Sequence, residues 1–269
     1  MKMLLVDLNK CNGCYNCQIA CKDEHCGNDW SPIAKSQPVS GQFWCKVNER
    51  ERGKVPVVKV AYTPRFCGHC ETCKLLEAAP ECVYRNEEGF VIIDPEKAAG
   101  RKDLVDLCPE KMVYWNDGLK IPQKCTGCTH LLENGWSQPR CVDACATGAL
   151  RFGDVEDFAG EMGGAEHLPD QVEDSHVYYL GVPKRMVAGT VADCSKNEVV
   201  IGAKVVVKSK RRPFELTLET DEFGDFRCED LDSDEYSISI QADGYTPVAL
   251  QADCRKDDAV FDDVILQLQ

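Results

Sequence analysis

The sequence predicts an α+β protein in which a cysteine-rich, metal-binding region is followed by a small all-β domain. Eighteen cysteines occur in 269 residues, and most of them lie in short, regular groups before residue 146. From about residue 184 the composition changes to β-branched runs separated by turn residues, which is typical of strands in a sandwich or barrel. We place the boundaries at 1–150 for the metal-binding region, 151–185 for an acidic connector and 186–269 for the β domain.

The first cysteine group consists of Cys11, Cys14, Cys17 and Cys21, separated by two, two and three residues. This spacing is typical of cysteines that bind an iron–sulfur cube, whereas a zinc site needs two ligand pairs on separate loops. Cys17 and Cys21 lie four residues apart, on one face of a helix but at different heights, so they can serve two clusters. The run therefore predicts a partner run elsewhere in the chain.

The partner run is the last group, formed by Cys125, Cys128, Cys141 and Cys145. We predict that Cys141 and Cys145, again four residues apart, also lie on one helix. A middle group begins with Cys67 and Cys70 and ends at Cys108, which precedes a proline as in ferredoxin runs. The spacing leaves two alternatives for the third cysteine of this group. Cys73 would repeat the short spacing of the first run, whereas Cys82 would leave an eleven-residue excursion similar to the twelve residues between Cys128 and Cys141. The other cysteines lack metal-ligand spacing, and we expect packed thiols at Cys26, Cys45, Cys194, Cys228 and Cys254.

Composition limits the partners of the protein. No apolar stretch approaches 18 residues and the N-terminus lacks the pattern of a signal peptide, so we expect no membrane span and a cytoplasmic protein with reduced thiols. The net charge of −14 argues against nucleic acid as a partner. Residues 152–176 contain eight acidic residues and no Lys or Arg, which we interpret as a solvated connector.

Over about residues 1–183, these cysteine motifs resemble the four-cluster, ferredoxin-type electron-transfer subunits of molybdopterin enzymes in the dimethyl sulfoxide reductase superfamily. In that family the first three cysteines of one run share a cluster with the fourth of its partner run. By resemblance, the first cluster would be held by Cys11, Cys14, Cys17 and Cys145, the second by Cys125, Cys128, Cys141 and Cys21, and the third by Cys67, Cys70, Cys82 and Cys108.

The sequence departs from the family at the fourth cluster. When Cys82 and Cys108 are placed on the family's runs, the ligand positions of that cluster are occupied by Asn86, Ala98, Arg101 and Leu104. Loss of one cluster relaxes the constraint on all four positions together, so the resemblance implies three 4Fe-4S clusters on twelve cysteines. This registration favours Cys82, although its distance from Cys70 exceeds the family's usual gap and leaves Cys73 as an alternative.

The C-terminal region resembles the carboxypeptidase regulatory-like, transthyretin-type β domain. The resemblance rests on Gly189-Thr-Val, Thr220-Asp-Glu-Phe-Gly-Asp-Phe226, Leu231, Tyr236 and Gly244-Tyr245. No nucleophile, acid–base pair or metal group marks this domain as catalytic. We therefore expect it to support the assembly or to dock against a partner. The predicted fold is therefore α+β, with a duplicated bacterial-ferredoxin-like region and a small transthyretin-like domain.

The resemblance also implies what the protein does. Molybdenum with molybdopterin guanine dinucleotide would lie on a large catalytic subunit, and this chain would supply electron-transfer clusters within a heterodimer or a higher oligomer. Three clusters and a fused β tail favour a transhydroxylase acting on phenols. The alternative is the electron-transfer subunit of another molybdenum or tungsten oxidoreductase that reduces a sulfur compound or an oxyanion. A zinc-rich scaffold is a third, non-redox alternative.

Overall fold

In the computed structural model, which describes residues 2–55 and 57–269, the protein separates into two units. The first unit contains the residues up to Glu49 together with Tyr62–Val182, and the second contains Arg50–Ala61 and Pro183–Gln269. The second unit therefore includes a segment that the sequence-based boundaries assign to the metal-binding region. No helix in the described part of the protein is long and apolar enough to cross a bilayer.

The elements up to residue 182 are short. In chain order they are β1 (Lys2–Asp7), α1 (Asn16–His25), β2 (Lys46–Lys54), β3 (Val57–Arg65), α2 (Lys74–Ala78), β4 (Val83–Arg85), β5 (Val91–Ile93), a 3-10 helix (Lys102–Leu107), β6 (Tyr114–Asn116), β7 (Ile121–Gln123), α3 (Thr129–Glu133), α4 (Arg140–Asp143), β8 (Leu150–Asp154), two 3-10 helices (Val155–Phe158 and Met162–Gly164) and β9 (Val177–Leu180).

Strand β1 is the centre of the three-stranded sheet in the first unit. It pairs with β8 in antiparallel and with β9 in parallel orientation. Met3 and Leu5 face an apolar cluster with Phe158, while Val6 belongs to a second cluster that contains the first cysteine run's helix. Since β8 and β9 lie largely within residues 151–185, the stretch predicted as a connector contributes structure to this unit.

The predicted helical placement of the paired cysteines is correct for one run and wrong for the other. Cys17 and Cys21 lie on α1, four residues apart. Helix α4 carries Cys141 but ends at Asp143, so Cys145 follows the helix and donates its backbone N–H to the carbonyl of Val142.

The second unit is a two-sheet β structure, which agrees with the predicted fold class. Its strands after residue 182 are β10 (Arg185–Asp193), β11 (Glu198–Val199), β12 (Lys204–Ser209), β13 (Glu215–Glu219), β14 (Asp225–Leu231), β15 (Glu235–Gln241), β16 (Val248–Asp253), β17 (Ala259–Val260) and β18 (Val264–Ile265). One sheet has the order β11-β10-β14, with β17 and β18 also on β10, and the other has the order β13-β12-β15-β16. Strands β11 and β12 are separated by the turn around Gly202, where φ is +71°.

The tip of the β2–β3 hairpin is an integral part of the second unit. Val57 is 3% exposed and belongs to an apolar cluster with Met186, Ala188 and Val260. Arg52 forms an ion pair with Asp258 at 2.8 Å, and both side chains are largely buried. The hairpin tip thus supplies both apolar and charged contacts to a β unit whose other strands come much later in the sequence.

We predict that Val57→Ala destabilises the second unit by about 2 kcal/mol, because it removes buried methyl groups and leaves a cavity. The measurement is urea unfolding, monitored by the circular dichroism of the β structure. Val58→Ala is the matched control, since Val58 lies on the same strand with 47% exposure, and we expect it to change stability by less than about 0.5 kcal/mol. Equal effects of the two substitutions would show that the hairpin tip is not part of the core.

Candidate cluster-binding sites

The first candidate site joins the two ends of the cysteine-rich region. A cavity is lined by Cys11, Cys14 and Cys17 from the first run and by Cys145 from the last. The sheet brings them together, because Val6 of β1 pairs with Leu150 of β8. Burial raises the pKa of the Cys11 thiol, and negative charge on the other three cysteines raises it further.

The second candidate site reverses this arrangement. A second cavity is lined by Cys21 from the first run and by Cys125, Cys128 and Cys141 from the last. Burial raises the pKa of Cys21 well above its usual value, and the charges of Cys125 and Cys128 act in the same direction. In their thiolate forms, these four cysteines would repel each other in one buried space. Binding of a cationic metal centre would stabilise the thiolates together.

Three cysteines of the middle group, Cys67, Cys70 and Cys108, are candidate ligands at a third site. Burial raises the pKa of Cys70 to about 12, and the neighbouring charge of Cys67 adds to this effect. Burial also raises the pKa of Cys108, again with a contribution from Cys67. Cys67 lines the same cavity as the second set of cysteines, so the second and third sites are neighbours.

The two candidates for the remaining position of the third site have different surroundings. Cys82 is 2% exposed and lies inside an apolar cluster with Leu75, Ala98 and Leu104. Burial is the main cause that raises its pKa, and the charges acting on it come from acidic residues and Arg101 rather than from another cysteine. Cys73 is half-buried at the start of α2 and packs, like Cys108, against the edge of the same cluster.

The positions that the sequence registration assigns to the family's fourth cluster have other structural roles. Ala98 and Leu104 are both fully buried in the apolar cluster that contains Cys82. The guanidinium of Arg101 pairs with Asp103 and with Glu81 on the surface. Asn86 accepts a hydrogen bond from the backbone N–H of Phe90 at 2.7 Å and donates one to Thr129 at 3.1 Å.

The donors around the cysteines suit an anionic sulfur cluster. The backbone N–H of Gly127 points to the sulfur of Cys125 at 3.4 Å, and that of Leu150 points to the sulfur of Cys145 at 3.4 Å. Within the described residues, no three metal-binding side chains converge as they would on a single ion, whereas the ligands of a cube surround a larger volume. The cysteine sets and their N–H donors therefore fit iron–sulfur clusters.

Two further residues at these sites were missed by the sequence analysis. Cys45, predicted to be a packed thiol, is buried within hydrogen-bond reach of Cys17 and lines the second cavity. Lys124, the neighbour of Cys125, is only 4% exposed. From the sequence alone, a lysine at this position would be expected to be solvated. Neither position belongs to a spacing pattern, and only the tertiary fold identifies them.

Comparison with known proteins identifies two domain families in the sequence. The family model of the 4Fe-4S dicluster domain matches residues 58–155, and that of the carboxypeptidase regulatory-like domain matches residues 186–267. The protein is 36% identical to the pyrogallol hydroxytransferase small subunit of Pelobacter acidigallici, with 90% of each sequence aligned. It is 29% identical to a subunit of the tetrathionate reductase of Salmonella typhimurium (68% of this protein, 74% of the relative) and 35% identical to the beta subunit of dimethylsulfide dehydrogenase from Rhodovulum sulfidophilum (47% and 38%).

These comparisons confirm the predicted fold class. They also confirm the resemblance to iron–sulfur subunits of molybdoenzymes.

We predict that Gly127→Ala impairs the second site. Gly127 has φ +65°, and a Cβ there would lie 2.7 Å from the ring of Phe90, so the loop must move and weaken the hydrogen bond to Cys125. We expect a lower iron content per protein, measured together with the visible absorbance. Gly135→Ala is the control, because Gly135 also has a positive φ, +89°, but no neighbouring atom within 4 Å among the described residues. Equal iron in both variants and the wild type would contradict the prediction.

Proposed function

Because this protein is a member of the family of iron–sulfur subunits that includes the pyrogallol hydroxytransferase small subunit, we propose that it is the electron-transfer subunit of a transhydroxylase that converts pyrogallol to phloroglucinol. The catalytic molybdenum and its molybdopterin guanine dinucleotide would lie on a large partner subunit. We place the assembly in the cytoplasm, where thiols stay reduced. The protein itself carries no catalytic residue in this proposal.

The observation that carries the proposal is the crossing of the cysteine runs. Each of two cavities takes three cysteines from one run and the fourth from the other, and this is the pattern of two-cluster ferredoxins. In the proposed assignment, Cys11, Cys14, Cys17 and Cys145 bind one cluster, and Cys21, Cys125, Cys128 and Cys141 bind another. Each bound cluster takes up or releases one electron.

For the third cluster we propose Cys67, Cys70 and Cys108 with Cys73 as the fourth ligand. This choice departs from the expectation of Cys82, because the Cys82 thiol is packed among apolar side chains and no cysteine is among the charges acting on it. By contrast, the charge of Cys67 acts on both Cys70 and Cys108. Cys73 follows Cys70 at the short spacing of the first run and lies at the edge of that apolar cluster, as Cys108 does. Three clusters then occupy the protein.

The residues around the clusters have separable tasks. The twelve assigned cysteines bind the iron, and the apolar residues packed around them exclude water, which limits loss of the clusters to solvent. Backbone N–H groups such as those of Gly127 and Leu150 donate to ligand sulfurs and raise the reduction potential. Pyrogallol and phloroglucinol are isomers, so the proposed reaction consumes no electrons and the clusters would prime or poise the partner's metal.

A second candidate is the electron-transfer subunit of a sulfur-compound or oxyanion reductase. The tetrathionate reductase relative aligns over 68% of this protein, whereas the alignment with the pyrogallol hydroxytransferase subunit covers 90% and so extends into the β domain. The extent of the alignment therefore favours the transhydroxylase.

The experiment that tests the function is purification of the protein from its native host with its partner retained. We expect a large subunit that contains molybdenum, and conversion of pyrogallol to phloroglucinol measured by chromatography. A complex that instead reduced tetrathionate or dimethyl sulfoxide, without acting on pyrogallol, would support the second candidate and exclude the first.

We predict about twelve iron and twelve sulfide ions per protein, since twelve cysteines close three cubes.

Cys73→Ser should remove or degrade one cluster, and Cys82→Ser should retain all the iron. The measurements are iron and sulfide analysis with the absorbance at roughly 400 nm. The reverse result would assign the ligand to Cys82, about sixteen irons would contradict the loss of the fourth cluster, and zinc in a colourless protein would reject the redox function altogether.

A further inference from the structure

Lys124 carries a buried positive charge that lacks a carboxylate partner among the described residues. Its side chain is enclosed at 4% exposure, and its ammonium donates to the backbone carbonyl of Val91 at 2.6 Å and to that of Cys125 at 2.8 Å. Burial of a cation is costly unless a negative charge lies nearby. An anionic cluster bound at Cys125 would supply that charge.

His69 presents a buried donor without a partner. Its Nδ1 accepts a hydrogen bond from the backbone N–H of Val91 at 3.0 Å, so the proton of the neutral ring lies on Nε2. The Nε2 atom is buried without a hydrogen-bond partner in the part of the protein that the structure describes, and His69 lines the second cavity.

The peptide groups of Val91 hold both side chains in place. The N–H of Val91 fixes the tautomer of His69, while its carbonyl accepts a hydrogen bond from the ammonium of Lys124. The backbone at Val91 is itself fixed, because Val91 pairs with Arg85 in the β4–β5 hairpin and its side chain is completely buried. One strand residue thus orients both His69, which lines the second cavity, and Lys124, whose positive charge acts on the neighbouring thiol of Cys125.

We propose that His69 and Lys124 are positioning residues that raise the reduction potential of the cluster bound by Cys21, Cys125, Cys128 and Cys141. The inference rests on the proposed function, since it requires that cluster. Reduction adds one negative charge, and a fixed positive charge in a dry site stabilises the more negative form. A hydrogen bond from Nε2 to a sulfur of the cluster acts in the same direction.

The test is a potentiometric titration of the full-length protein with its clusters bound, monitored by electron paramagnetic resonance. In Lys124→Met we expect one midpoint potential to move to a more negative value, with the iron content retained. In His69→Phe, where the ring packing against Phe90 is kept, we expect a shift of the same sign at the same cluster. Lys124→Arg and His69→Gln keep the charge and a donor, and should restore most of each shift.

Two substitutions serve as matched controls. Lys120→Met removes an equal charge four residues away, from an exposed side chain that pairs with Asp117 at the surface. His167→Phe removes a histidine whose Nε2 lies 3.0 Å from the carbonyl oxygen of Ser175 and which does not line the second cavity. Neither should change the midpoint potentials.

Unchanged potentials in both Lys124→Met and His69→Phe, with full iron, would overturn the inference and leave the proposed function intact. If Lys124→Met loses iron, recovery of the iron and of the wild-type potential in Lys124→Arg supports the role of the charge, and failure of the arginine variant contradicts it. If the wild-type protein contains no iron–sulfur cluster, the proposed function itself fails.

Discussion

The constraint on which the N-terminal unit depends is that thiols far apart in sequence must share one buried site. Cys11 and Cys145 line the same cavity, and Cys21 lies with Cys141 in the next. Pairing of β1 with β8 and packing of α1 against α4 bring the two runs together. Cluster binding would close this arrangement covalently, so metal binding and folding of the unit are coupled.

In the proposed function this protein has lost the family's fourth cluster, and the packing of the middle group would give a physical account of that loss. Without a cube to enclose, the surrounding side chains must fill the space or leave a cavity that costs stability. Ala98 and Leu104 do this with Leu75 and Cys82 in one apolar cluster. Arg101, which lies at the surface, instead forms ion pairs with its acidic neighbours. If Cys73 rather than Cys82 is a ligand of the third cluster, the registration that placed Asn86 at a ligand position of the lost cluster no longer holds. The positions of Ala98, Arg101 and Leu104 depend on Cys108 and are unaffected.

Sequence patterns predicted the features that repeat at short range. The spacing of the first run placed Cys17 and Cys21 on one helix, and the β-branched runs predicted most strands of the second unit. Other features depend on long-range packing. Strand β2, with its run of charged residues, lacks the alternation of a half-buried strand, so its tip could not be assigned to the β unit. Similarly, nothing local distinguishes buried Lys124 from exposed Lys120, and the choice between Cys73 and Cys82 depends on how residues 71–81 fold.

The discontinuity of the second unit affects its synthesis on the ribosome. Val57 is made long before Met186, Ala188 and Val260, the residues that bury it. At about 5–20 residues per second, translation from residue 57 to residue 186 takes on the order of ten seconds. Throughout that interval the hairpin tip has no sheet to join, and its apolar side chains are available to chaperones or to other nascent polypeptides. The β unit can complete its core only after the cysteine-rich unit has been translated in full.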